Sequence, residues 1–280
     1  MRRLETVAAL HEWRRDLGGS LGLVPTMGFL HEGHLSLVRR ARGENDMLAV
    51  TVFVNPTQFG PREDFARYPR DLPRDLGLLE REAVDLVFVP DPQEIYPEGF
   101  QTYVTVPELS ERWEGASRPG HFRGVATVVA KLFVLFRPER AYFGQKDYQQ
   151  LQVIRRLARD LGFPLTVVPC PIVREPDGLA LSSRNSYLSP AERQAATVLF
   201  RALQAGEAAY RAGERSGHRL QAVVKEVLAQ EPLAKPDYVA VADPETLEEL
   251  DEVGARGAVF CLAVWIGATR LIDNCLLARP

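Results

Sequence analysis

Two histidines three residues apart, His31 and His34, stand where an apolar run gives way to a helical pattern, in Leu23-Val-Pro-Thr-Met-Gly-Phe-Leu-His-Glu-Gly-His-Leu-Ser-Leu-Val38. The apolar residues 21–24 break at Pro25 and the chain turns through Gly28. Helical spacing follows, so the order is strand, turn and helix start, with both imidazoles on one face of the first turn. A helix N-terminus carries unpaired N–H groups and partial positive charge, which suits phosphate. Imidazoles add donors whose charge changes near neutral pH. Zinc is the weaker reading. The metalloprotease spacing is His-Glu-x-x-His with a further ligand, and His31-Glu32-Gly33-His34 is one residue short. Two polar residues facing water is the plain alternative.

Three further clusters carry chemistry-bearing side chains. Gly144-Gln145-Lys146-Asp147 offers close backbone approach, a point charge and a carboxylate, the parts of a phosphate–magnesium site. An ordinary helix start explains the same residues, since Asp is favoured in a first turn. Leu181-Ser182-Ser183-Arg184-Asn185 supplies two hydroxyls and a guanidinium, able to clamp phosphates and offset charge on a leaving group. A polar surface loop is its alternative. Asn55-Pro56-Thr57-Gln58-Phe59 ends an apolar strand, and the Gln58 amide both donates and accepts, as a hydroxyl or carboxylate of a small substrate requires. Pro119-Gly-His-Phe-Arg-Gly124 fits a lid, a subunit contact or a tight turn equally well.

These clusters need elements to position them. Helices are expected at 5–17, from the histidines to 42, at 71–82, 124–136, 148–161, 191–212 and 217–230. Strands are expected at 21–25, 48–54, 84–89, 101–106, 141–143 and 165–168, then at 237–242, 257–265 and 269–273. Helices alternating with apolar strands predict an α/β class, a doubly wound, Rossmann-like parallel sheet. The character changes near residue 170, with Pro169, Pro171 and Pro176-Asp-Gly178, and a smaller α+β domain follows. The expected division is 1–172 and 173–280. Ligands of doubly wound sheets sit beyond the carboxyl ends of the strands, where strand order reverses.

Composition limits the partners. Net charge is −3 over 280 residues, so no global field draws the chain to nucleic acid or an anionic membrane, and any anionic ligand must be held locally. Three scattered cysteines argue against a disulfide framework or a zinc ribbon and suit a reducing cytoplasm. No apolar run approaches the ~20 residues of a membrane span, and the first residues lack a secretory h-region. Of 34 Lys and Arg only four are Lys, which singles out Lys146.

Taken in order, the clusters resemble the pantoate–β-alanine ligases (pantothenate synthetases) of the nucleotidyltransferase superfamily. The likeness rests on Met27-Gly-Phe-Leu-His-Glu-Gly-His34, Phe53-Val-Asn-Pro-Thr-Gln-Phe59, Tyr68-Pro-Arg70, His121-Phe-Arg-Gly-Val-Ala-Thr-Val128, Phe143-Gly-Gln-Lys-Asp-Tyr-Gln-Gln150, Leu181-Ser-Ser-Arg-Asn185 and Gly267-Ala-Thr-Arg-Leu-Ile-Asp-Asn274. Two departures are Phe29, where a small residue is usual, and Gln145, where Glu is common. The resemblance implies ATP-dependent joining of pantoate to β-alanine through a pantoyl adenylate, releasing pyrophosphate and AMP, with Mg2+ accompanying ATP. It implies catalytic roles for His34, His31, Lys146 and Arg184. A nucleotide pocket would comprise Met27, Gly28, His31, His34, Gly144, Lys146, Asp147, Val173, Leu181, Ser182, Ser183 and Arg184. Gln58, Gln150 and Asn55 would meet pantoate and β-alanine. The first domain would bind nucleotide and pantoate, and the second would act as a lid. Metal ligands stay unassigned, with Asp147 and Asp75 unbacked candidates. A cytoplasmic homodimer is also implied. The rival readings are an adenylyltransferase that stops at a nucleotide product and an inactive nucleotide-binding regulator.

Overall fold

The computed structural model describes residues 1–15, 17–61 and 63–277. They divide into two compact units, Met1–Gln145 with Gln149–Pro171, and Lys146–Tyr148 with Ile172 onward. The junction thus falls inside the Gly144–Asp147 cluster, and Lys146 belongs to the second unit.

The first unit opens with β1 (Arg2–Leu4), α1 (Val7–Arg15), β2 (Leu21–Thr26), α2 (Glu32–Glu44) and β3 (Met47–Val52). A 3-10 turn (Pro56–Gln58), α3 (Leu72–Arg81), β4 (Leu86–Phe88) and three one-turn helices, α4 (Pro92–Ile95), α5 (Pro107–Ser110) and α6 (Glu114–Ser117), come next. It continues with α7 (His121–Phe136), β5 (Arg140–Gly144), α8 (Tyr148–Asp160, from Gln149 on) and β6 (Thr166–Cys170). The six strands form one parallel sheet ordered β1-β4-β3-β2-β5-β6. After β2 the chain builds toward one edge through β3 and β4, then crosses back to add β5 and β6 on the other side. Order therefore reverses between β2 and β5, which pair only at Gly22–Arg140 and Leu23–Ala141. Their carboxyl ends are the switch point of this sheet.

Val24, Val50, Val87 and Tyr142 from the sheet pack with Val38 and Ala41 of α2 and Leu79 of α3. Helix α7 is buried along almost its whole length, as its apolar circumference predicts.

The second unit contains a 3-10 turn (Ser183–Tyr187), α9 (Pro190–Ala195), α10 (Val198–Arg211), α11 (Gly217–Leu228) and an antiparallel sheet of β7 (Ala234–Ala242), β8 (Ala258–Ile266) and β9 (Thr269–Leu277). Leu199, Leu203, Leu220 and Val224 of the helices cover Val241, Phe260 and Leu262 of that sheet.

Two expectations are corrected, and one strand is added. Residues 101–106 join no ladder; the Val104 amide bonds instead to Thr127 Oγ1 of α7, 3.0 Å away. The helix expected at 191–212 is two helices, α9 and α10, separated by Ala196 and Thr197. The edge strand β1, three residues beside β4, was not anticipated, because two of the three are arginines. Among the described residues no helix is long and apolar enough to cross a membrane.

Candidate active site

The histidine turn leaves the carboxyl end of β2. Thr26 Oγ1 donates to the Thr51 carbonyl at 2.6 Å and accepts the Gly28 amide at 3.1 Å, tying the turn to β3. Gly28 (φ 80°) and Phe29 (φ 50°) both lie in the left-handed region. A non-glycine residue there costs roughly 1–2 kcal/mol. The Asp75 carboxylate, 1% exposed, accepts the Phe29 amide at 2.6 Å and the Leu30 amide at 2.8 Å. Burial pushes the Asp75 pKa up, and those two amides act against it.

His31 is the N-cap of α2 and His34 is three residues on, and each ring accepts a backbone amide of this first turn. His31 Nδ1 accepts the Gly33 amide at 3.1 Å, and His34 Nδ1 accepts the His31 amide at 3.3 Å. The ring centroids are 4.1 Å apart. With both Nδ1 atoms accepting, each neutral imidazole carries its proton on Nε2, so both rings are donors at that atom. The capping box takes up the His31 and Gly33 amides at the helix end that was expected to face an anion.

The Asn55–Gln58 turn, after β3, is fastened from three sides. Asn55, 1% exposed, accepts the Thr57 hydroxyl at 2.9 Å and the Tyr96 hydroxyl at 2.8 Å on Oδ1. Its Nδ2 donates to the Gly124 carbonyl at 3.1 Å and to Gln58 Oε1 at 3.0 Å. A backbone carbonyl only accepts, so the Asn55 amide cannot be reversed, and Gln58 must turn its oxygen toward Asn55. The Gln58 Nε2 group then points the other way, 3.1 Å from Met27 Sδ. The Asn55 amide is thus fully bonded, and one of its bonds orients Gln58. A Cβ on Gly124 would lie 2.4 Å from the Thr57 carbonyl oxygen, so glycine is what lets α7 dock on this turn.

The Pro119–Gly124 stretch, open in the sequence, leads into the first turn of α7 and holds Gln58 by its backbone. His121 Nδ1 donates to the Gln58 carbonyl at 2.8 Å, while Nε2 accepts from Arg118 Nη1 at 3.1 Å. Arg118 in turn pairs with Glu63 at 2.6 Å. Burial, with the Arg118 charge beside it, pushes His121 down to about 4, so the ring is neutral. Burial opposes the Glu63 carboxylate, but Arg118 outweighs it and the pKa falls below the usual range.

Two neighbouring glutamines of α8 differ. Gln149 is buried and bonded to the Glu114 amide and the Leu109 and Arg112 carbonyls, at 3.1, 2.7 and 2.8 Å. Gln150 is only half-buried.

In the second unit the Lys146 ammonium is 3.8 Å from Asp147, and its carbonyl accepts from Asn274 Nδ2 at 2.8 Å. Residues 173–181 make a hairpin. Leu181 donates its amide to the Val173 carbonyl at 3.0 Å, and Arg174 bridges Ala180. Asp273 braces it, holding Arg174 at 2.6 and 2.9 Å with its carboxylate 1% exposed. Ser182 caps the 3-10 turn, accepting the Arg184 amide at 3.3 Å. Ser182, Ser183 and Arg184 are half-buried.

The expected site residues therefore fall into two sets. Met27, Gly28, His31, His34, Asn55, Gln58, Gly144 and Gln150 lie in the first unit, and Lys146, Asp147, Val173, Leu181, Ser182, Ser183 and Arg184 in the second. Asp75, His121, Arg118, Tyr96, Asp273 and Asn274 support them and were missed as such. The only signal was membership of motif segments for His121, Asp273 and Asn274. Among the described residues no three His, Cys, Asp or Glu side chains group to hold a metal, and Asp75 has both oxygens bonded to amides.

Comparison with known proteins gives one answer. The family model described as Pantoate-beta-alanine ligase matches residues 2–276. A pantothenate synthetase of Roseiflexus castenholzii is 62% identical over 277 residues, covering 99% of each chain. A pantothenate synthetase structure from Thermus thermophilus superposes with a TM-score of 0.95 at 54% identity, covering all of both chains. A pantoate-beta-alanine ligase from Francisella tularensis, complexed with beta-gamma ATP and beta-alanine, gives a TM-score of 0.81 at 34% identity, covering 99% of this chain and 98% of that one.

Proposed function

This chain belongs to the pantoate-beta-alanine ligase family, and on that premise we propose that it condenses pantoate with β-alanine through a pantoyl adenylate. The observation that carries the reading is the His31–His34 turn, set beside the reversal of strand order in a chain that the family model matches over residues 2–276. The Francisella tularensis complex supports a β,γ-type ATP and β-alanine as ligands.

A pantoate carboxylate oxygen attacks the α-phosphorus, the bond to the β-phosphate breaks, and pyrophosphate leaves. The β-alanine amine then attacks the acyl carbon, loses a proton and expels AMP. Neither nucleophile needs strong activation, so positioning and charge stabilisation carry the chemistry. His31 and His34 donate from Nε2 to phosphate oxygens, and His34 is the acid. Lys146 offsets charge at the α-phosphate, while Ser182, Ser183 and Arg184 hold the β and γ phosphates. Met27, Gly28, Gly144, Asp147, Val173 and Leu181 line the nucleotide pocket. Gln58 offers Nε2 to pantoate oxygens, Gln150 grips the same substrate, and Asn55 acts by aiming Gln58. Mg2+ enters on the triphosphate as part of the substrate and neutralises part of its charge.

We also read the enzyme as a cytoplasmic homodimer, a state that sedimentation equilibrium tests directly. The decisive assay supplies ATP, Mg2+ and pantoate, then β-alanine. Pyrophosphate should appear in the first stage and free AMP only in the second. Pyrophosphate release with no amine-dependent AMP in the second stage contradicts the ligase reading and favours an enzyme that stops at a nucleotide product.

A further inference from the structure

Phe29 sits in a backbone conformation that side chains avoid (φ 50°), immediately after Gly28 (φ 80°) and two residues before the cap of α2. Such a turn persists only if its surroundings determine it. Two adjacent residues of α3 do so. Asp75 takes the Phe29 amide on Oδ2 at 2.6 Å and the Leu30 amide on Oδ1 at 2.8 Å, and the Arg74 guanidinium lies 5.4 Å from the Phe29 ring centroid.

The placement is informative because its charge has the wrong sign for a structural convenience. A buried carboxylate beneath a turn that receives a triphosphate repels that ligand. It also removes two backbone donors that a phosphate would otherwise use. A Cβ on Gly28 would lie 3.0 Å from Asp75 Oδ2, so the carboxylate is pressed directly under the turn. Its compensation is directional. By binding both amides it fixes the peptide planes on either side of Phe29, and so the direction in which the chain enters His31. The His31–His34 capping box follows directly on that turn, its two bonds closing at 3.1 and 3.3 Å.

We infer that Asp75 is a positioning residue for nucleotide binding: it holds Phe29 in the left-handed conformation and thereby aims both imidazoles. The inference rests on the proposed role of His31 and His34 toward the triphosphate. It also explains how this chain accommodates Phe at position 29.

The test is a cycle of full-length Asp75→Asn, Phe29→Gly and the double variant. Pyrophosphate release is measured with ATP and pantoate varied in turn. Asn keeps the shape but turns an NH2 toward one of two N–H donors. Asp75→Asn should lower kcat/KM for ATP by about 30-fold and leave the pantoate KM within about twofold. With Gly at position 29 the left-handed turn carries no Cβ penalty, so the same substitution should cost about tenfold less. A loss shared equally by ATP and pantoate, or one of equal size in both backgrounds, overturns the inference. Amide hydrogen exchange of the unmodified protein gives a readout independent of activity and of any variant's folding. Phe29 and Leu30 should exchange slowly, and exchange at the rate of an open loop refutes the role of Asp75 whatever reaction the enzyme performs. If those amides are protected but the wild type releases no pyrophosphate with pantoate, the proposed reaction fails and the holding role stands.

Discussion

Gln58 and Arg184 are both assigned to hold oxygen-rich parts of a ligand, and the protein prepares them in opposite ways. Gln58 is buried, its side chain is oriented by Asn55, and its carbonyl is held by His121. Arg184 is half-buried on a short 3-10 turn capped by Ser182. The difference follows from chemistry. The two ends of a carboxamide have nearly the same shape and opposite polarity, so an unaimed glutamine offers the wrong end as readily as the right one. A guanidinium has five donors and a permanent charge, and attracts phosphate from many poses. Lys146 resembles Arg184 in this respect. Its backbone is held by Asn274 while its ammonium acts as a point charge. For Gln58 it is the side chain that is oriented, and for Lys146 the backbone.

The largest effect should come from deleting a charge. Lys146→Ala should lower kcat for adenylation by about 10²–10³-fold, in the range of removing one electrostatic stabiliser of a transition state. Folding should be unaffected, since the partner of its side chain, Asp147, is exposed. A melting temperature lowered in step with activity would make Lys146 structural and spoil the contrast with Gln58.

The held region should also report itself in pH dependence. His121 titrates at about 4 in the fold against 6.5 in an open chain. Between those values the unfolded chain binds a proton that the folded protein refuses, so stability is complete above about pH 6.5 and declines as pH falls toward 4. The loss amounts to about 3 kcal/mol. Urea unfolding at pH 7 and pH 4 checks this. His121→Gln should be less stable at pH 7 and should lack this component of the decline. An unchanged decline in that variant would mean that His121 is not the titrating group.

Conservative changes probe the comparison more finely. Gln58→Ala should raise the pantoate KM by about 10–100-fold while moving the ATP KM little, and Gln58→Glu, which replaces the donor by an anion, should do at least as badly. Arg184→Lys keeps a charge and should cost several-fold less than Arg184→Ala. Equal losses for both Arg184 variants would show that its fork geometry matters as much as an amide's aim.

Much of this was written in local pattern. Apolar runs marked β2, β3 and β5, and the His31–His34 spacing marked the helix start that the structure shows. Residue type and turn context made Lys146, Gln58 and Arg184 candidates beside plainer alternatives, and the family resemblance gave them roles. What was not legible lies in contacts between distant segments. Asp75 reaches an amide 46 residues away, and His121 a carbonyl 63 residues away. Nothing local distinguishes such an Asp from any other in a first helical turn. The break between α9 and α10 was equally hidden, because Ala196 and Thr197 include neither glycine nor proline. The unpaired 101–106 segment alternates like a strand, and only the tertiary partner Thr127 shows why it is not one.

The smallest effect is the sharpest test of aiming. Tyr96 does not bond to Gln58 directly; its hydroxyl, 2.8 Å from Asn55 Oδ1 and 2.9 Å from Thr57 Oγ1, is two hydrogen bonds removed from it. Burial pushes its pKa up, so it remains a neutral donor at working pH. Tyr96→Phe removes only that donor and keeps the ring against Phe53 and Phe100. Thr57 still donates to Asn55 Oδ1 and the Gly124 carbonyl still fixes Nδ2, so the aim should loosen without reversing. The expected result is a three- to tenfold rise in the pantoate KM, equivalent to about 0.7–1.4 kcal/mol for one neutral hydrogen bond, with the ATP KM unchanged. A rise in both, or in neither, would show that Gln58 takes its direction from its own burial and that the polar chain behind it stabilises the fold alone.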